Sequence, residues 1–72
     1  MLENKQELEA NGVVIESLPE AMFKVMIDGT KQEVLAYLAG KMKLKRIRVL
    51  IGDRVSMKID PYGGKARIFR RM

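Results

Sequence analysis

The sequence predicts an all-β domain, a small barrel of five short strands with one short helical turn after the third. Three observations carry that expectation. Apolar and polar residues alternate over short windows, most clearly in MFKVMID and RVSMKID, which is the period of a half-buried strand. Turn residues recur between the windows: Pro19, Asp28-Gly29, Gly52-Asp53 and Gly63-Gly64. Finally, 72 residues suffice for one small domain only, and 47% of them are hydrophobic, enough for a compact core.

Taken in order, residues 1–10 are charged and weakly patterned, so they are expected to form a flexible N-terminal tail ahead of a folded domain spanning 11–72. GVVIESL (12–18) is β-branched and apolar, a first strand, and PEA after it is a turn. MFKVMID (22–28) places Phe23, Val25 and Ile27 on one face and Lys24, Met26 and Asp28 on the other, completing a hairpin. A DGT turn follows, with Gly29 free to take positive φ. QEVLAYL (32–38) is the third strand, with its phase open between Val34/Ala36/Leu38 and Leu35/Tyr37 as the inward set. AGKMKLKR (39–46) is rich in helix formers but too short for an independent helix, so it predicts one or two helical turns docked on the sheet.

IRVLIGD (47–53) is apolar and ends in a Gly52-Asp53 turn in which Asp53 accepts backbone hydrogen bonds. RVSMKID (54–60) points Val55, Met57 and Ile59 inward and Arg54, Ser56, Lys58 and Asp60 outward. PYGG is a loop whose Tyr62 fits either a stacking contact with a base or, as the commoner arrangement, a cap on a barrel end. KARIFRR (65–71) is the last strand, with Ala66 and Ile68 on one face and Arg67, Phe69 and Arg71 on the other. Five strands with an insert after the third fit a partly open Greek-key barrel, the OB-fold; an SH3-like barrel is the competing arrangement.

Composition narrows the chemistry. There is no cysteine and no histidine, so metal sites and acid–base catalysis near neutral pH lose their commonest residues. No catalytic residue, metal ligand or cofactor is expected. No apolar run approaches the roughly 20 residues of a membrane helix, and MLENKQELEANG lacks the basic start and apolar middle of a secretory leader. The expectation is a soluble cytoplasmic protein without a membrane partner.

Charge is divided along the chain. Residues 1–40 hold three bases and seven acids, while 41–72 hold eleven bases and two acids. Such polarity suggests a polyanionic partner. GKMKLKRIRV (40–49) alone carries five of the fourteen bases: Lys41, Lys43, Lys45, Arg46 and Arg48. Phosphate contacts supply most of the affinity in RNA binding, and arginine can also fork onto phosphate or stack on a base. These five are the first candidates for RNA contact.

Arg67, Phe69 and Arg71 are the second group. An aromatic between arginines suits base stacking, although Phe69 can equally close the barrel end. Arg70 at the strand end and the outward Lys24 complete the set. Between the lysines, Leu44 is expected in the core, whereas Met42 fits either the core or a contact with ribose or base. A general single-strand binder of the cold-shock type would need clustered aromatics, and the chain has four in all. A protein-interaction adaptor would need an apolar groove that the pattern does not provide.

Three segments, ESLPEAMFKVMIDG, AGKMKLKRIRVLIGDRV and DPYGGKARI, resemble in order and spacing the signatures of the bacterial-type translation initiation factor one family, from residue 12 to about 70. The resemblance rests on Leu18-Pro19 with Phe23, Gly40-Lys41-Met42, Ile47-Arg48-Val49-Leu50, Gly52-Asp53 with Val55, Pro61-Tyr62 and Ala66-Arg67-Ile68. It implies an S1-like OB-fold and a factor, monomeric when free, without catalytic activity. Such a factor binds the small ribosomal subunit at the decoding (aminoacyl) site, touching ribosomal RNA and a neighbouring ribosomal protein. It occludes that site during initiation and acts with the other initiation factors. The resemblance places Lys41 and Arg48 first among the contacts and tips Met42 towards the contact surface. Tyr37 stands where the family often has histidine, and Gly63-Gly64 shortens the loop after Pro-Tyr. These differences fit a divergent or organellar member.

Overall fold

The computed structural model describes residues 8–60, 62 and 64–72. The elements are β1 (Leu8–Leu18), β2 (Met22–Ile27), β3 (Glu33–Leu38), α1 (Gly40–Leu44), β4 (Arg54–Ile59) and β5 (Ala66–Arg71). The strands close into a barrel in the order β1-β2-β3-β5-β4, with β4 returning to β1. Every neighbouring pair is antiparallel except β3 and β5, which run parallel. This is the OB-fold, with its helical insert after the third strand, rather than an SH3-like barrel, and it is closed rather than partly open.

β1 is long because it serves two partners. Its first half pairs with β4 from Leu8↔Ile59 to Val13↔Arg54, and its second half pairs with β2 from Gly12↔Ile27 to Leu18↔Met22. The barrel therefore includes Leu8, Glu9 and Ala10, three residues of the expected tail; the rest of that tail, residues 1–7, lies outside the described residues. Gly12 sits where β1 is flanked on both sides. A Cβ there would lie 2.4 Å from the Met26 carbonyl oxygen and 2.7 Å from Val25 Cγ1, so only glycine fits.

Beyond Gly12 the inward set Ala10, Gly12, Val14 would continue to Glu16. A bulge between Val14 and Glu16 prevents this: Ile15 is the extra residue, and Glu16 turns outward to pair with Lys24 at 3.5 Å. A single inserted residue reverses the pleat, sparing the core an isolated carboxylate.

The core is Val14, Phe23, Val25, Ala36, Met42, Val49, Val55, Met57, Ala66 and Ile68. The alternation read in β2 and β4 holds: Phe23 and Val25, and Val55 and Met57, are buried. In β3 the open phase resolves to Val34, Ala36 and Leu38 inward, with Leu35 and Tyr37 exposed. Ala36 opposes Ala66 at the parallel seam, where two small side chains let the barrel close.

Candidate nucleic-acid interface

α1 has no side-chain N-cap and no acid in its first turn, so its N-terminal end gains nothing from capping or from the helix dipole, and only Lys41 and Lys43 in the last turn complement that dipole. It is held by packing. Met42 is buried to 2% exposure and joins the core beside Val49, with Ile47 packed against the same cluster. The helix ends in a Schellman motif. Ile47 N–H donates to the Met42 carbonyl at 3.0 Å and Arg46 N–H to the Lys43 carbonyl at 3.1 Å. Arg46 takes φ +54°, the left-handed position usually given to glycine.

This anchoring decides what faces outward. Lys41, Lys43, Lys45, Arg46 and Arg48 are all exposed, and among the described residues no carboxylate pairs with any of them. Two expectations reverse here. Met42, expected at the contact surface, is the plug that fixes the helix, and a side chain with 2% exposure offers nothing to RNA. Leu44, expected in the core, is 84% exposed among the lysines. A five-residue helix can bury only one side, and Met42 occupies it.

A second bulge reshapes the last strand. Met57 pairs with Ile68 but Ser56 pairs with Arg70, leaving Phe69 as the extra residue. The strand pattern grouped Arg67, Phe69 and Arg71 on one face; the inserted residue puts Arg70 in the place of Arg71. Arg71 turns the other way, where its Nη1 donates to the Arg48 carbonyl at 2.9 Å and lies 4.0 Å from Asp53 Oδ2. Arg71 thus ties the end of β5 to the segment after α1.

Arg70 Nη2 donates to Ser56 Oγ at 3.4 Å, and Ser56 Oγ donates to Asn11 Oδ1 at 2.9 Å. Ser56, expected outward, is on that face but buried under these partners. Phe69 is half-buried, with Lys58 Nζ 5.4 Å and the Arg70 guanidinium 5.5 Å from its ring centre, each contact worth about 0.5–1 kcal/mol at a partly exposed site. Arg67 lies between Tyr37 of β3 and Lys58 of β4 in register. The outer face of β5 therefore carries Arg67, Phe69 and Arg70, joined by Lys58, which its own strand pattern marked only as outward.

Lys24 stands apart. It lies 3.5 Å from Glu16 and 3.8 Å from Glu33, flanked by acids and not gathered with the other cations. The turn before β4 forms as read: Asp53 Oδ2 accepts from Leu50 N–H at 2.9 Å. Tyr62 is 82% exposed and does not cap the barrel, its N–H donating to Asp60 Oδ1 at 2.9 Å.

The profile of the family described as translation initiation factor 1A / IF-1 matches residues 1–72. The chain belongs to that family. It is 54% identical over 69 residues to translation initiation factor IF-1 of Rhodospirillum rubrum, covering 93% of this chain and 72% of that protein. Among solved structures, the translation initiation factor IF-1 from the Wolbachia endosymbiont of Brugia malayi superposes with a TM-score of 0.75 at 35% identity, covering 90% of this chain and 77% of the other. YjeQ from Thermotoga maritima gives 0.76 at 29% identity, with this barrel matching only 23% of its length. YloQ, a circularly permuted GTPase, gives 0.77 at 15% identity and shares the fold alone. As an IF-1 family member, the chain is a translation initiation factor. No helix among the described residues is long and apolar enough to cross a membrane.

Proposed function

We propose that this initiation factor binds the small ribosomal subunit at the decoding (aminoacyl) site through ribosomal RNA, occludes that site during initiation and assists the other initiation factors. The observation that carries this reading is the segment Lys41–Arg48. Five cations stand exposed, with no carboxylate partner among the described residues, on a helical turn that Met42 holds against the barrel. A preformed cationic surface meets phosphate without first breaking internal ion pairs, and each phosphate neutralised releases a counterion. Arg67 and Arg70, with Phe69, extend the surface across β5. Lys24 contributes little, since two carboxylates already neutralise it.

The factor acts by occupying space and neutralising phosphate, without catalysis or cofactor, as a monomer in the cytoplasm. A neighbouring ribosomal protein and the other initiation factors complete its set of partners. The barrel from Leu8 onward is the binding unit.

Co-sedimentation with separated ribosomal subunits, with chemical footprinting of the small-subunit decoding region, tests the proposal. Expected are selective binding to small subunits, protection of that region, and a log–log salt slope of about −3 to −5 for roughly five phosphates. Equal affinity for free oligonucleotides, with no preference for assembled subunits, would instead identify a general single-strand binder.

A further inference from the structure

Leu44 is the most exposed large hydrophobic residue of the described barrel, at 84%. A single exposed leucine is ordinarily unremarked. This one differs in where it stands. Lys43 and Lys45 adjoin it, Lys41 lies one turn back at i−3, and Arg46 follows in a left-handed conformation. The helix beneath it cannot roll to bury it, because Met42 holds the opposite side in the core and the Schellman hydrogen bonds fix the end.

We infer that Leu44 is an apolar contact with RNA, packing on a ribose or base face while the surrounding cations hold the adjacent phosphates. This deepens the proposed function and rests on it. An apolar protein surface closing over Leu44 would strip water from cations that have no carboxylate to meet, a costly step. RNA satisfies both requirements, since phosphates neutralise the lysines while sugar and base surfaces between them are apolar. The contact adds affinity that owes nothing to counterion release and so does not weaken with salt, unlike every lysine contact around it.

The test compares the full chain with Leu44→Ala and Leu44→Met in fluorescence-anisotropy titrations against purified small ribosomal subunits from low to high potassium chloride. Leu44→Ala is expected to weaken binding about fivefold to tenfold by the same factor at every salt concentration, with unchanged slope and melting midpoint. Leu44→Met keeps apolar volume and is expected to stay within about twofold of the parent. Lys43→Ala serves as the contrast and should flatten the slope by about 0.7–0.9.

Parent-like binding by Leu44→Ala would overturn the leucine contact, as would a loss that vanishes at high salt. So would Leu44-dependent binding to phosphatidylcholine–phosphatidylserine vesicles in place of subunits. A parent chain that does not bind subunits at all overturns the reading beneath it, a result distinguishable from a parent that binds and a variant that is unaffected.

Discussion

Arg46→Gly is expected to move stability and RNA affinity in opposite directions. Arg46 holds φ +54° at the residue after the helix cap, a conformation that costs an L-residue roughly 1–2 kcal/mol. Glycine removes that cost but gives back about 0.5–1 kcal/mol in unfolded-chain entropy. The backbone hydrogen bonds of the Schellman motif need no side chain and survive the change. The net gain is about 0.5–1 kcal/mol, or a rise in melting midpoint of about 3–6 °C for a domain this small.

The same substitution deletes one exposed cation, flattening the salt slope of binding by about 0.7–0.9 and lowering affinity about threefold to fivefold at moderate salt. Arg46→Ala separates the two effects: it should lose affinity alike and gain no stability. Thermal or urea melts, paired with anisotropy titrations, read both quantities. A midpoint for Arg46→Gly at or below the parent's would refute the reasoning, because Arg46 would then be supporting the fold.

Three further substitutions probe how the surface is held. Met42→Ala should cost about 2–5 kcal/mol, the range for truncating a buried large side chain, seen in urea melts with unchanged slope; a loss below about 1 kcal/mol would mean that the helix is not anchored there. Gly12→Ala places a methyl against the Met26 carbonyl and Val25 and should destabilise by about 1–3 kcal/mol or more, measured the same way. Arg71→Ala removes the bond to the Arg48 carbonyl and should lower the melting midpoint by about 4–8 °C for roughly 1 kcal/mol; an unchanged midpoint would return Arg71 to the binding surface.

The strands were legible because a buried face writes itself into the sequence with period two, as Phe23, Val25 and Ile27 do, and as Val55 and Met57 do. What stayed hidden were the two one-residue bulges. A bulge is a backbone event that any side chain can occupy, so nothing in Ile15 or Phe69 announces it. Yet one decides that Glu16 points out, and the other exchanges Arg71 for Arg70 beside Ser56. The early start of β1 is not legible either, because Leu8, Glu9 and Ala10 look like tail until β4 is there to pair with them.

The basic segment was legible as charge, since five bases without an acid need no fold to be counted. Its orientation was not. In five helical residues Met42 and Leu44 lie about 200° apart, and only the position of the barrel decides which one is covered. The family resemblance pointed to Met42 as a contact, whereas the packing makes it the support on which the contacts stand.

The chain has no cysteine, which permits a direct test of the central claim, that the Lys41–Arg48 surface meets the decoding region of small-subunit RNA. Lys43→Cys carries a tethered hydroxyl-radical source on α1, and Lys31→Cys carries one in the turn before β3, at the other end of that strand from the helix. With small subunits bound, strong cleavage confined to decoding-region RNA from position 43, and little there from position 31, is the predicted result. Strong cleavage of that region from position 31 with none from position 43 would contradict it.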